Sequence, residues 1–314
     1  MNGIFRYRIK QPVTWFNQAV SKSNQYCLYC GRLVGVGATI SSNKEHLVGR
    51  EFVPTGAFGD GTLFNFIFRA CEDCNNEKSN IERHISTVSL YNSPARRDSQ
   101  IYNDIANRKA ANDYYPNKQG VLIKDSDDNL TIAGGFGRSN ITFGLSSPPQ
   151  VEPTYFELLA FRHIQGIFSL ITSHNPLTAT GTTLLSHDFF HFFGLYNHAD
   201  WGNPHLIEIM SRVCKFPCYA NIETANGFFK VIIRKRSADD GEWFWALEWN
   251  KSYRVIGAIA NINDNPAVFR NLPALVWKEL GIQDGATTRI REETPLNEEQ
   301  DILFVAQVEG VQIA

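Results

Sequence analysis

The stretch Glu45–His84, EHLVGREFVPTGAFGDGTLFNFIFRACEDCNNEKSNIERH, carries the features that decide the fold of the N-terminal part of this 314-residue chain. A histidine preceded by a carboxylate ends a strand-like segment, and a Cys-x-x-Cys pair follows after a loop rich in glycine. A first Cys-x-x-Cys pair stands upstream, in the segment YCLYCGR at Tyr26–Arg32. The two pairs on either side of the histidine predict one metal-stabilised module.

The four cysteines form two knuckles separated by 40 residues, and they are Cys27, Cys30, Cys71 and Cys74. Four thiolates satisfy a tetrahedral zinc ion, and zinc can fold a small module that has little core of its own. The alternatives are a redox pair, which would need only one Cys-x-x-Cys, and unpaired buried thiols. We therefore predict a structural Zn²⁺.

The segment between the knuckles predicts two strands and a helix. LVGVGATISSNKEH ends in Glu45 and His46, NFIFRAC reads as a second strand, and CEDCNNEKSNIERHIS reads as a helix. Residues at helical spacing share one face, which would carry Cys71, Asn75, Lys78, Ser79 and Glu82. We expect that face to look toward the hairpin that presents Glu45 and His46.

This pattern of Cys-x-x-Cys, Glu-His, Asn and Cys-x-x-Cys-Asn-x-x-Lys resembles the HNH endonucleases, whose ββα-metal fold holds one divalent ion. The resemblance covers about residues 27–84. It implies that His46 is the general base, that Glu45 is a metal ligand, and that Asn65 orients the base. It also implies that Asn75 is the ligand contributed by the helix.

Two positions depart from the family pattern. Gly49 stands where the family commonly has proline, and Ser79 stands where a second helix ligand is expected. Glu82 or His84 is then expected to take that coordination place.

The chemistry implied by the resemblance suits these residue types. An imidazole near its own pKa can deprotonate water at neutral pH. Mg²⁺ or Mn²⁺, held by a carboxylate and an amide oxygen, can stabilise the attacked phosphate and the leaving 3′ oxygen.

Charge is distributed unevenly along the chain. Residues 1–120 hold 15 Lys and Arg against 10 Asp and Glu, whereas residues 121–314 hold 15 against 22. The basic excess lies with the cysteines, where phosphate contacts would be wanted, so DNA is the expected partner and RNA is not excluded. The chain has no apolar run of the roughly 18 residues that span a membrane, and its start does not resemble a signal peptide, so we expect a cytoplasmic protein without a membrane partner.

Three regions are expected: a nuclease module at 1–90, a polar connection at 91–150 ending in a Pro-Pro break at 148–149, and a C-terminal domain at 151–314. Helices are predicted in VEPTYFELLAFRHIQGIFSLITSH and NPHLIEIMSRV, followed by a meander of GFFKVIIRKRS, GEWFWALEW and YRVIGAIANI. The basic and aromatic residues of this meander could form a nucleic-acid platform or a buried aromatic face. This domain is expected to serve targeting, regulation, a protein partner or a homo-oligomer.

The sequence thus predicts an α+β protein with a zinc-stabilised ββα-metal (HNH) module followed by a mixed helix and antiparallel-sheet domain. The expected activity is metal-dependent DNA hydrolysis in a setting such as restriction, phage defence or a mobile element. The rival interpretations are a non-catalytic zinc-dependent nucleic-acid-binding or scaffold protein, and a nuclease acting on RNA.

Overall fold

A computed structural model of the chain describes residues 3–6, 24–60, 63–115, 120–126, 129–136, 139–146, 151–172, 181–237, 241–261, 263–283 and 286–306. The Pro-Pro break at 148–149 lies outside these ranges. In the described part of the chain, no helix is both long enough and apolar enough to cross a membrane.

The described helices and strands fall in separate runs along the chain, as the α+β prediction requires. The strands are β1 (Gly3–Arg6), β2 (Ser42–His46), β3 (Ile67–Cys71), β4 (Asn129–Phe136), β5 (Ser139–Ser146), β6 (Gly181–Leu184), β7 (Phe190–Asn197), β8 (Cys218–Thr224), β9 (Phe229–Lys235), β10 (Trp243–Trp249), β11 (Tyr253–Ile259), β12 (Lys278–Gln283) and β13 (Ala286–Ile290). The helices are α1 (Glu72–Asn92), α2 (Ala95–Asp98), α3 (Gln100–Asn112), α4 (Pro153–Thr172) and α5 (Pro204–Val213).

The hairpin and helix around the cysteines form as predicted. Strands β2 and β3 pair antiparallel, with His46 opposite Ile67 and Ser42 opposite Cys71. Helix α1 begins directly after β3, so Cys71 is both the last strand residue and the N-cap of the helix. The first strand is shorter than LVGVGATISSNKEH suggested, because only the last five residues of this segment pair with β3.

Neighbouring side chains in a strand point to opposite faces, and this separates Glu45 from His46. Glu45 is buried toward α1, whereas His46 is half-buried on the other side of the hairpin. The ladder continues one residue beyond β2, because the Leu47 N–H donates to the Phe66 carbonyl at 2.8 Å.

The C-terminal region is built on a five-stranded antiparallel sheet in the order β7-β11-β10-β9-β8. The predicted meander forms β9, β10 and β11 in its centre. Helix α4 packs on one face, where Phe168 meets Trp243, and α5 packs on the other face with Phe244. Because both faces are covered, β10 is buried at every position, and the buried aromatic face is the correct reading of this hairpin.

Helix α4 also reaches the N-terminal hairpin. A Cβ built at Gly166 would lie 2.3 Å from Leu47 Cδ1, so glycine allows the helix to approach the end of β2 closely. One continuous apolar core contains Cys27, residues of α1 and α4, and the tryptophans of β10. The end of β2 that carries His46 therefore contacts both β3 and α4. The division of the chain at residues 90 and 150 stays a prediction.

Candidate functional site

The four predicted zinc ligands come together in one cluster. Their sulfur atoms all lie within 4.8 Å of one another, and the Sγ atoms of Cys30 and Cys71 are 3.6 Å apart. Zinc–sulfur bonds of about 2.3 Å in a tetrahedron place the sulfurs about 3.8 Å apart, so these donors fit a metal ion such as zinc. In the described residues this thiolate cluster is the only group of three or more His, Cys, Asp or Glu side chains so arranged.

Arg32 is the cation nearest to these thiols. Its Nη2 donates to Cys71 Sγ at 3.0 Å and to Asp73 Oδ2 at 2.7 Å, and its Nε donates to Cys30 Sγ at 3.4 Å. A positive charge here offsets part of the negative charge of a four-thiolate site and fixes the orientation of two ligands.

Glu45 does not face an open position. Its Oε1 lies 2.7 Å from Lys78 Nζ and accepts a hydrogen bond from the Tyr29 hydroxyl at 3.1 Å. The same ammonium lies 2.8 Å from Glu82 Oε1 and donates to the His46 carbonyl at 3.2 Å. The Lys78 side chain is 1% exposed, which means that this lysine is enclosed by the two carboxylates.

His163 of α4 completes this lysine cluster, which consists of Tyr29, Glu45, Lys78, Glu82 and His163. Its Nε2 is 3.2 Å from Glu82 Oε1, and its side chain is fully buried. The cluster thus links β2, α1 and α4 by charged hydrogen bonds.

Burial and ion pairing oppose each other within the lysine cluster. Burial, helped by Glu82, raises the pKa of Glu45, although Lys78 opposes the shift. Burial alone would raise the pKa of Glu82, but Lys78 and His163 outweigh it and hold that pKa below its ordinary value. Burial would lower the pKa of Lys78, but the carboxylates of Glu82 and Glu45 raise it. Lys78 and Glu82 are therefore the charged pair, and Glu45 is the carboxyl that protonates first.

Gly49 has a structural reason to replace the proline of the family pattern. Its N–H donates to Glu82 Oε1 at 3.0 Å, and proline has no N–H to donate. A Cβ at Gly49 would also lie 2.4 Å from Glu82 Oε2. Glycine at position 49 therefore supplies both a hydrogen-bond donor and the space for the buried carboxylate of Glu82.

His46 faces a separate cleft on the other side of the hairpin. Its Nε2 is buried and has no hydrogen-bond partner among the described residues. The cleft has a volume of about 540 Å³, and Arg50, Asn65 and Asp60 also line it. Burial, and then the positive charges of Lys44, Arg50 and Lys78, lower the pKa of His46. The imidazole is therefore neutral at pH 7, with a nitrogen lone pair available.

Asn65 fixes the chain that follows His46. Its Nδ2 donates to the Val48 carbonyl at 2.7 Å, and its Oδ1 accepts from the Val48 N–H at 3.2 Å. This pair of bonds holds the loop two residues after the histidine. Asn65 thus acts on the backbone of the loop rather than on the imidazole.

The residues expected to bind a divalent ion do not converge. Glu45 and Glu82 are held by Lys78, and Asn75 lies half-buried in the first turn of α1. His84 points elsewhere, with its Nδ1 2.9 Å from Asp113 Oδ2. As arranged, this donor set does not fit Mg²⁺ or Mn²⁺, because an ammonium already occupies the space between the carboxylates.

Sequence reasoning assigned no role to Lys78 or His163. Two signals were available: Lys78 stands four residues before Glu82 on a helix face that also carries Ile81 and Ile85. His163 stands four residues after Leu159 and four before Ile167, on the apolar face of its predicted helix. A titratable residue at such a position must find a partner when it is buried.

No protein-family model matches this chain, no curated protein is similar to it, and no solved structure resembles it.

Proposed function

We propose that this protein is a nuclease of the HNH type that hydrolyses phosphodiester bonds in DNA, with His46 as the general base. The observation that carries the proposal is the half-buried side chain of His46, which lines a cleft of about 540 Å³. A general base needs a neutral nitrogen at a surface that substrate and water can reach, and the lowered pKa of His46 supplies that neutral form.

The proposed reaction begins when the His46 imidazole takes a proton from a water molecule in the cleft. The water oxygen attacks phosphorus, the bond to the 3′ oxygen breaks, and that oxygen takes a proton from solvent. Arg50 lines the same cleft and is exposed, so its guanidinium can neutralise charge on the phosphate. Asn65 keeps the loop after His46 in place.

The resemblance also implies Mg²⁺ or Mn²⁺, which would supply further stabilisation of charge on the phosphate. Glu45 and Glu82 reach such an ion only by leaving Lys78, and the proposed steps do not require it. A structural Zn²⁺ on the thiolate cluster holds the strand and the helix that meet beside His46.

The test is a plasmid-nicking assay of wild type and His46→Ala, each with Mg²⁺, with Mn²⁺ and with EDTA. Loss of a positioned base costs about 10²–10⁴ in rate, so His46→Ala is expected to lose nearly all cleavage while keeping its zinc content and melting temperature. His205→Ala is the matched control, because its imidazole lies beside the Pro273 carbonyl and Phe193, on the far side of the sheet from α4. Cleavage by His46→Ala at the wild-type rate would overturn the proposal.

A non-catalytic nucleic-acid-binding protein is the second candidate, and the enclosure of Glu45 by Lys78 favours it. It predicts that wild type binds DNA and leaves the plasmid intact under all three conditions.

A further inference from the structure

A second cavity adjoins the His46 cleft. It has a volume of about 470 Å³ and lies between α1 and α3, and we name it the α1–α3 cavity. Glu51 and Thr55 line both this cavity and the His46 cleft, so the two spaces share one wall. A polymer that lies in the cleft can therefore continue into the α1–α3 cavity.

The shared wall is fixed from the α1–α3 side. Ser86 of α1 donates to the carbonyls of Glu51 and Phe52 at 3.0 and 2.8 Å. Lys109 of α3 donates to the Glu51 carbonyl at 2.5 Å and to Ser86 Oγ at 3.0 Å. An ammonium has three N–H groups, and these two bonds use two of them.

The lining of the cavity is rich in cations, and they are Arg83, Arg108 and Lys109. Arg108 is exposed, and the Arg83 side chain is 59% exposed. Such guanidinium groups recognise phosphate oxygens by paired hydrogen bonds.

Two carboxylates also line the cavity. Asp113 is buried and already engaged, because His84 Nδ1 lies 2.9 Å from its Oδ2, Thr87 donates to the same oxygen at 3.1 Å, and Arg83 Nε lies 3.3 Å from its Oδ1. Glu51 is exposed on the shared wall. The free positive charge of the cavity therefore lies with Arg108 and Lys109.

Tyr114 gives the cavity an aromatic surface. It lines the same space, and it is 57% exposed, whereas the tyrosines of the lysine cluster and of β11 are buried. An exposed aromatic ring beside cations is the arrangement on which single-stranded nucleic acids stack their bases. Bases in a duplex are already stacked on both sides, so this surface favours an unpaired base.

We propose that the α1–α3 cavity binds the stretch of a DNA strand next to the phosphate at His46, with Arg108 and Lys109 on a neighbouring phosphate and Tyr114 against an unpaired base. The inference rests on the proposed function for the location of the cut. The substrate is then DNA with a single-stranded segment beside the cleavage position.

The experiment measures binding separately from cleavage. Full-length His46→Ala protein is titrated against a labelled DNA single strand of about 20 nucleotides and against the matching duplex, by fluorescence anisotropy at several salt concentrations. The variants Arg108→Gln and Tyr114→Ala are added to this background. Arg289→Gln is the control, since Arg289 is an exposed arginine of β13 that pairs with Glu279 of β12.

Arg108→Gln is expected to weaken binding about 5-fold or more and to reduce the salt slope by roughly 0.7, the value for one phosphate contact on a single strand. Tyr114→Ala is expected to weaken binding to the single strand about 5-fold or more, with a smaller effect on the duplex and no change in salt slope. Both residues are exposed, so the melting temperatures are expected to match the control.

The two proposals fail in different ways. If both variants bind like Arg289→Gln, or if no form of the protein binds DNA, the cavity assignment is overturned. If wild type never cuts but the variants lose binding as described, the assignment stands and the nuclease proposal fails. Equal losses on single strand and duplex with Tyr114→Ala would overturn the preference for an unpaired base.

Discussion

The thiolate cluster and the lysine cluster join the same two elements, the β2–β3 hairpin and α1, but they are completed differently. The thiolate cluster brings together four sulfur donors that could hold a metal ion such as zinc, a cation from outside the chain. The lysine cluster brings two carboxylates together around Lys78, whose ammonium is 1% exposed. An acidic residue can therefore occupy a ligand position in a motif and still be unavailable, because the chain itself supplies its counter-ion.

The first prediction tests whether the thiolate cluster depends on an external ion. Cys71→Ser removes a ligand at the junction of β3 and α1, and structural zinc in small modules contributes on the order of 10 kcal/mol to folding. We expect loss of bound zinc and unfolding of the region around the knuckles, measured by elemental analysis and thermal unfolding.

Cys214→Ser is the control, because Cys214 is not part of the cluster and donates only to the Ser211 carbonyl. Wild-type zinc content and stability in Cys71→Ser would contradict a structural metal site.

The second prediction removes the internal cation. Lys78→Met keeps the length of the side chain but leaves Glu45 and Glu82 buried without their ammonium. Removing one partner of a buried ion pair costs about 3–5 kcal/mol, so the urea midpoint is expected to fall strongly while zinc stays bound.

Lys44→Met on the same hairpin is the matched control, because Lys44 is exposed and surface changes cost about 0.5 kcal/mol or less. Equal stabilities of the two variants would show that the lysine cluster does not form.

These two clusters also show how much the sequence could predict. Four cysteines at regular spacing have one common chemistry, so the thiolate cluster followed from the sequence, as did α1, α4 and the β9–β11 meander. The partner of Glu45 did not follow, because hydrogen bonds to Lys78 and His163 depend on how α1 and α4 pack against β2. Side chains alternate between the two faces of a strand, so the sequence of β2 already indicated that Glu45 and His46 point in opposite directions. The motif nevertheless predicts that both belong to one site. The structure puts them on opposite faces of the hairpin.

The third prediction separates the two carboxylates of the lysine cluster. Glu82 is the ionised partner of Lys78, whereas Glu45 has a raised pKa and protonates first. A neutral amide should therefore be tolerated better at position 45. We expect Glu82→Gln to lower the free energy of unfolding by about 2–3 kcal/mol, the cost of a lost charged hydrogen bond, and Glu45→Gln by about 1 kcal/mol.

The same pair of variants tests the role that the HNH resemblance gives to Glu45. A ligand of a catalytic ion would lose cleavage in Glu45→Gln without loss of stability, and would lose it only in reactions that contain Mg²⁺ or Mn²⁺. A member of the lysine cluster would lose stability first, with cleavage following the folded fraction.

The fourth prediction, with the smallest effect, concerns the proton balance of the lysine cluster. Burial, together with Lys78, lowers the pKa of His163 from its ordinary 6.5 to about 4. The folded protein thus resists a proton that the unfolded chain accepts. The contribution of His163 to stability is complete above pH 6.5 and declines as the pH falls from 6.5 toward 4. At pH 5.5 the loss amounts to about 1 kcal/mol.

His163→Gln can still donate to Glu82 but has no proton to gain in this range. We expect urea unfolding at pH 7.5 and 5.5 to show a steeper loss of stability in wild type than in the variant. Because thiolate protonation weakens zinc binding in both proteins alike, only the difference between them reports on the lysine cluster. Identical pH profiles would mean that His163 takes up its proton as readily in the folded protein as in the unfolded chain, so that at pH 5.5 the cluster holds a second internal cation beside Lys78.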